Sequence, residues 1–246
     1  MNEIVFILLG ATGDLVKRKL LPALYQLVSH RIIGPMHIVG AAQQQSTAHA
    51  IVEASLPFMG AVDEKELAEF TGRFSYYQVD FSNATDFLSL TQAIQKLREL
   101  YGPLDVIVYC ATPSQFFAQL VEQLSRVGLI WREAERIDAW CRMVFEKPFG
   151  IDKSSAHQIN QAIARFLSER QIYRVDHYLG KDIIGSIALL RFTNRIFEPL
   201  WNRHHVDWVQ IDLSESIGIA HRGVYYDRYG ALKDVVQNHM LQILAL

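Results

Sequence analysis

The chain has 246 residues, half of them hydrophobic, and a formal net charge of −2. That length supplies one large domain or two modest ones with a sizeable core, and the balanced charge carries no signal for nucleic acid or a membrane surface. No apolar run is long enough to span a bilayer, and the two cysteines, Cys110 and Cys141, lack metal-ligand spacing, so buried thiols of a cytoplasmic protein are expected.

Ile4 to Leu9 is a continuous apolar run. Its length would suit a signal segment, but Glu3 precedes it, no basic start is present, and a glycine turn follows. It reads as a buried first strand of a parallel sheet. Gly10-Ala11-Thr12-Gly13-Asp14-Leu15 comes next, and then Leu20, Leu21, Leu24, Leu27 and Val28 recur at helical spacing. Pro22 either starts the regular helix or kinks it. A strand, a glycine turn and a helix N-terminus together make an anion site, because glycines let the backbone approach a pyrophosphate and the first amides and dipole meet its charge. Only two glycines of the usual Gly-x-Gly-x-x-Gly stand here, so a tight structural turn accounts for them nearly as well.

Met36 to Val39 is expected as the second strand, ending at Gly40. Its tip normally meets the adenosine ribose, where an acid favours NAD and an arginine NADP; this chain has Ala41-Ala42-Gln43-Gln44-Gln45, which is neither. The pattern then predicts a helix over 48–70, a strand over 74–79, an amphipathic helix over 84–101 and a strand over 105–110 that runs into Ala111-Thr112-Pro113. A helix is expected over 114–127, with Gly128 placed to end it. Residues 130–140 are charged and match neither period. Residues 141–145 read as a strand leading into Glu146-Lys147-Pro148-Phe149-Gly150. A lysine held just past a strand tip can touch cofactor and substrate, and Pro148 sets the loop's shape as a hinge or cis bond; an ordinary Pro-x-Gly turn is the bland alternative. A helix is expected over 154–169, and strands alternating with helices imply a doubly wound parallel α/β sheet.

Arg174-Val175-Asp176-His177-Tyr178-Leu179-Gly180-Lys181 packs an acid, an imidazole, a phenol and an amine into a short run. If the backbone coils there, His177, Tyr178 and Lys181 share a cationic, donor-rich face suited to a phosphate dianion. An extended backbone turns Asp176 to a different partner from His177. A helix is expected over 182–195 and another over 233–246, the latter carrying Asp234 and His239. Between them Val209, Ile211 and Leu213 alternate with Gln210 and Asp212 as a half-buried antiparallel strand. A lone strand is not stable, so the chain is expected to enter a second domain and stop inside it.

These motifs resemble the glucose-6-phosphate 1-dehydrogenase family, over nearly the whole chain and in the family's order. They are the glycine turn with Arg18-Lys19-Leu20 behind it, Glu146 to Gly150, Gln171 to Lys181, Arg191-Phe192, Phe197 to Asn202, Tyr225-Tyr226-Asp227 and Asp234-Val235-Val236-Gln237-Asn238-His239. The first is unspecific; the Asp-His-Tyr-Leu-Gly-Lys run with the later Gln-Asn-His is very specific. The resemblance implies a Rossmann-like dinucleotide domain over 1–175 and the truncated start of an α+β substrate and dimerisation domain over 176–246. It implies NADP-dependent oxidation of glucose 6-phosphate to the 6-phosphogluconolactone, the first oxidative step of the pentose phosphate pathway. His239 is then the general base and Asp176 its partner. His177, Tyr178 and Lys181 hold the 6-phosphate, Lys147 bridges substrate and cofactor, and Glu215 and Asp234 accept sugar hydroxyls. Gly10, Ala11, Thr12, Gly13, Asp14, Leu15, Gln43, Asp80, Ala111, Thr112, Pro113 and Lys147 line the cofactor, with no metal.

Departures from the family pattern are also legible. Gln43 stands where the family usually has an arginine on the 2′-phosphate of NADP, which opens NAD as a second cofactor. Ser114, Asp182, Gly185, Ser186, Ala220 and His221 replace other family residues. Family chains are far longer, and the part beyond this sequence supplies most of the second sheet, a further substrate lysine and the homo-oligomer surface. The alternative expectation is therefore a truncated remnant that at most binds the nicotinamide cofactor.

Overall fold

The structure, a computed structural model, describes residues 2–34, 36–214 and 223–246. The chain divides into two compact units, Met1–Val175 and Asp176–Leu246.

The first unit is built on six parallel strands: β1 (Glu3–Leu9), β2 (Met36–Ala42), β3 (Phe74–Gln78), β4 (Leu104–Cys110), β5 (Cys141–Phe145) and β6 (Ile172–Arg174). Their spatial order is β3-β2-β1-β4-β5-β6, with β1 in register against β2 through Ile4–Met36 and against β4 through Glu3–Leu104. This is the doubly wound order in which the sheet grows outward in both directions from its first strand. The helices are α1 (Leu21–Ser29), α2 (Ala48–Ser55), α3 (Glu64–Gly72), α4 (Phe87–Tyr101), α5 (Phe117–Arg126) and α6 (Lys153–Ala164).

The strict alternation along β1 shows why its apolar run has no polar face. Val5, Ile7 and Leu9 face one core with Phe87, Leu90 and Ile94 of α4 and Phe117, Leu120 and Leu124 of α5. Phe6 and Leu8 face the other, with Leu21, Leu24 and Tyr25 of α1, Ile51 and Val52 of α2 and Phe70 of α3. Side chains of a strand point to opposite faces in turn, so a strand covered by helices on both sides must be apolar throughout. Phe117 is fully buried and its ring lies 4.9 Å from Phe145 and 5.9 Å from Phe149. Burying such a ring contributes about 1.5–3 kcal/mol, and it ties α5 to the loop that carries Lys147.

Local chemistry fixes the element ends. The stretch expected as one helix over 48–70 is two: α2 stops at Ser55, a short 3-10 turn holds Pro57, and α3 restarts behind Asp63, whose carboxylate accepts from the Glu66 amide at 2.9 Å. Proline lacks the amide that a continued helix needs. Pro22 sits in the first turn of α1, directly after a wider π-type turn over Val16–Leu20, so it opens the regular helix. Gly128 has φ +70° and ends α5 as expected. The helix expected over 154–169 is α6, which stops at Ala164. At its start Asp152 accepts from the Ser155 amide at 2.8 Å while Ser155 Oγ accepts from the Asp152 amide at 3.0 Å, a reciprocal cap. Asp152→Ala is expected to cost about 1 kcal/mol, read as a shifted denaturation midpoint with an unchanged slope.

In the second unit the described elements are α7 (Asp182–Phe192), α8 (Gly223–Ala231), a π-type helix over Leu232–Met240 and α9 (Leu241–Ala245). Residues 209–213, expected as a half-buried strand, form none: Trp208 is 73 % and Val209 62 % exposed. No strand among the described residues offers them a ladder, and alternation alone cannot hold a strand. α7 ends at Phe192 rather than Arg195, where Thr193 closes the last turn through Leu189 O. Among the described residues no helix is long and apolar enough to cross a membrane.

Candidate active site

Every cofactor residue expected from the sequence falls just past the carboxyl end of a strand in the one parallel sheet. Gly10 to Leu15 follow β1, Gln43 follows β2, Asp80 follows β3, Ala111 to Pro113 follow β4 and Lys147 follows β5. The crevice between β1 and β4, where the strand order reverses, is the place such sheets bind dinucleotides.

Gly10 turns the chain at φ +85°, and a Cβ there would lie 2.5 Å from Ala111 O. Only glycine allows β1's turn to lie this close to the loop after β4. Gly10 and Ala11 both donate to Ala41 O, at 2.8 and 3.1 Å, and Gly13 donates back to Gly10 O at 2.9 Å. The amides of Thr12, Asp14 and Leu15 have no backbone acceptor among the described residues. Unspent amides at the mouth of a helix suit a pyrophosphate. Thr112 Oγ1 is buried without a hydrogen-bond partner among the described residues, a second polar group whose bonding capacity they leave open. The turn therefore fits a dinucleotide.

At the ribose end Gln43 Nε2 donates to Asp80 Oδ1 at 3.0 Å, and Gln78 Nε2 donates to Gln43 O at 2.9 Å. The Ser82 hydroxyl and amide, and then Gln43, hold the Asp80 carboxyl below its usual range, so it is charged at neutral pH. Sequence reasoning missed this pairing, because the two residues sit on loops after different strands and no local spacing links them.

Lys147 precedes Pro148 through a cis peptide bond. Its neighbour Glu146 is gripped by the Tyr109 hydroxyl of β4. Burial, and then Glu146 itself, push the Tyr109 phenol far up, so it stays a donor. This anchor was also missed; nothing in the sequence pairs a strand tyrosine with a glutamate on the next strand's tip.

The second unit gathers the rest. His239 Nδ1 lies 2.9 Å from Asp176 Oδ1, and that oxygen also accepts the Tyr178 amide at 3.0 Å. Both side chains are nearly buried, His239 at 5 % exposure. The Tyr178 ring packs against His239 at 4.2 Å, tilted by 31°, with Lys181 Nζ 3.9 Å from the Tyr178 ring and His177 4.6 Å from it. The backbone coils through this run, with Gly180 N donating to Asp176 O and Lys181 N to Tyr178 O. Asp176, His177, Tyr178, Lys181 and His239 are thus one cluster, made from a turn and a helix far apart in sequence. Asp234 lies on the same helix as His239 and is half-buried. Glu215 lies outside the described residues, as do Ala220 and His221.

Comparison with known proteins matches residues 7–185 to the glucose-6-phosphate dehydrogenase NAD-binding domain and residues 188–246 to the C-terminal domain of the same enzyme. The chain belongs to the glucose-6-phosphate dehydrogenase family. It is 38 % identical over 249 residues to the glucose-6-phosphate 1-dehydrogenase of Chlamydia pneumoniae and 36 % identical to that of Bacillus subtilis, matching 98 % of this chain and 49 % of either relative. Among solved structures, a glucose-6-phosphate dehydrogenase in complex with its substrate glucose-6-phosphate superposes with a TM-score of 0.88 at 30 % identity. The Mycobacterium avium enzyme gives 0.80 at 32 % identity. These two cover 99 % of this chain and 50 and 52 % of theirs. The chain spans about half the length of the glucose-6-phosphate dehydrogenases it matches.

Proposed function

We propose that the chain carries the cofactor cradle and the proton-abstracting dyad of a glucose-6-phosphate 1-dehydrogenase, an enzyme that oxidises glucose 6-phosphate to 6-phosphogluconolactone. The observation that supports this best is the nearly buried His239–Asp176 contact of 2.9 Å beside the His177, Tyr178 and Lys181 cluster. With Nδ1–H donated to the carboxylate, the imidazole's lone pair sits on Nε2, the tautomer a base needs. Asp176 holds the ring's orientation and stabilises the imidazolium that forms. His239 takes the proton of the sugar's anomeric hydroxyl. A bound nicotinamide supplies the hydride acceptor for the anomeric carbon. Lys181 and His177 offer charge and donors to a phosphate dianion, with Tyr178 adding its hydroxyl. Lys147 and Asp234 take the bridging and sugar-hydroxyl roles the resemblance implies, as does Glu215.

NADP is the proposed cofactor on the family's pattern, and two local features open the site to NAD as well. Gln43 supplies no cation for a 2′-phosphate, and the charged Asp80 beside it favours a ribose hydroxyl over a phosphate. Gln43→Arg is expected to tighten NADP about tenfold, the effect of one charge-assisted contact, with NAD unchanged; Asp80 holds the new guanidinium at the strand tip. Unchanged NADP affinity in a fluorescence titration would place the phosphate elsewhere, on Lys17 or Arg18.

The test of function is reduced-nicotinamide absorbance with glucose 6-phosphate, offering NADP and NAD separately. Turnover supports the dehydrogenase reading. Cofactor binding without turnover leaves the first unit's role standing and removes the activity from this chain.

A further inference from the structure

Residues 130–140, which match no periodicity in the sequence, wall a cavity at the opposite end of the strands from the cofactor turn. It opens beneath the amino-terminal ends of β4, β5 and β6 and has a volume of about 850 Å³, within the roughly 300–1,000 Å³ of small-molecule sites. Its floor is fixed. Gln171, 3 % exposed, donates to Trp131 O at 2.8 Å and to Cys141 O at 3.2 Å and accepts from the Glu133 amide at 3.0 Å. Asp105 accepts from the Trp140 amide and from Asn2 Nδ2, both at 3.1 Å.

Three arginines line this space: Arg136, Arg142 and Arg170. Among the described residues no guanidinium of the three is hydrogen-bonded or paired with a carboxylate, so their donors are unspent. Two are nonetheless held in place by aromatic faces. Arg142 lies 4.4 Å from the Trp140 ring and 5.8 Å from Tyr173, and Arg136 lies 4.5 Å from Trp131. A second cation, Arg98, sits behind the same Trp131 ring at 5.8 Å with Nε and Nη2 buried and, among the described residues, unpartnered. Burial, and then the like charge of Arg136, hold the Arg98 guanidinium below its usual range. Three carboxylates also line the cavity. Asp105 is bonded to Asn2 and Trp140, Glu133 accepts from Ser168 Oγ at 3.3 Å, and the charge of Asp138 acts on Arg98, so these carboxylates are engaged with other groups than the three lining guanidiniums. Guanidiniums pre-ordered by stacking lose less freedom on binding an anion and offer forked donors to phosphate oxygens.

We propose that this cavity binds a polyphosphate anion of nucleotide size, at a site separate from the cofactor turn. Arg136, Arg142 and Arg170 hold its phosphate oxygens, and the volume beyond what a single phosphate fills accommodates a chain of phosphates or a nucleoside on it. This assignment rests on the first unit alone and is independent of the proposed dehydrogenase chemistry.

The test is calorimetric titration of the full chain at low ionic strength with tripolyphosphate and, separately, ATP, each repeated with saturating NADP. Binding of tripolyphosphate that survives NADP, weakens with added salt and falls at least about tenfold in R142Q/R170Q is the expected result. R142K/R170K, which keeps charge but loses the fork, should fall between. Tighter binding of ATP than of tripolyphosphate would assign the nucleoside form of the ligand, and equal binding the inorganic form. Because Ile137 is wholly exposed on the cavity rim, Ile137→Glu adds a repelling carboxylate without removing packing, and it tests the site even where the arginine variants fail to fold. Affinity unchanged in Ile137→Glu and in the arginine variants, displacement by NADP, or no binding up to about 1 mM ligand would each overturn the assignment.

Discussion

Replacing His239 by asparagine is expected to cut turnover of glucose 6-phosphate by about 10²- to 10⁴-fold, the usual contribution of a positioned general base, while cofactor affinity stays within twofold or so of its starting value. Asparagine keeps a polar group near Asp176 Oδ1 and so spares much of the local packing, but it has no basic nitrogen. The loss should sit in kcat, because His239 is asked to act in the proton transfer and not in holding the phosphate. A matched control is Lys181→Ala, whose effect should sit mainly in the KM for the sugar phosphate. If His239→Asn lowers cofactor affinity and turnover together, the buried imidazole is a structural part of the second unit and the dyad assignment is lost.

Gly10→Val should abolish measurable dinucleotide binding and destabilise the first unit by about 1–3 kcal/mol. Two separate penalties meet at this residue. Its φ of +85° is strained for any side chain, and the new Cβ would lie 2.5 Å from a backbone oxygen, Ala111 O, which no rotamer change can relieve. The loop after β4 must move, and with it Thr112 and Pro113. Gly128→Ala separates the two penalties. That glycine has φ +70° but nothing within 4 Å of its added Cβ, so it should cost about 1–2 kcal/mol of strain and leave binding unchanged. Equal loss of binding in both variants would mean that global stability, not the approach of the turn to the ligand, governs affinity. Equilibrium denaturation with a parallel cofactor titration reads both quantities.

The sheet was legible because a strand buried on both faces must be apolar along its length, as Ile4–Leu9 and Val106–Cys110 are. The expected helix over 48–70 broke because hydrophobic spacing ran on past Pro57, a residue that hydrophobicity counts do not penalise. Residues 209–213 alternate like a strand, yet alternation reports which face would be buried and not whether a ladder partner is present. Long-range pairings stayed invisible altogether. Gln43 with Asp80, and Tyr109 with Glu146, are each 37 residues apart and meet only because neighbouring parallel strands end side by side. The His239–Asp176 pair spans 63 residues and was expected only through family resemblance; spacing alone gives no hint of it.

The pairing of β1 with β4 also dictates when this sheet can assemble during synthesis. Glu3 lies opposite Leu104, so one edge of the most apolar strand has no partner until roughly a hundred further residues have been made. At about 5–20 residues per second that is some 5–20 s. Throughout it, an apolar edge of unpaired amides and carbonyls is available to any other nascent chain. The region most exposed to misassociation on the ribosome is therefore the one that ends up most deeply buried. Slower translation between residues 10 and 104 should lower soluble yield more than the same slowing after residue 110.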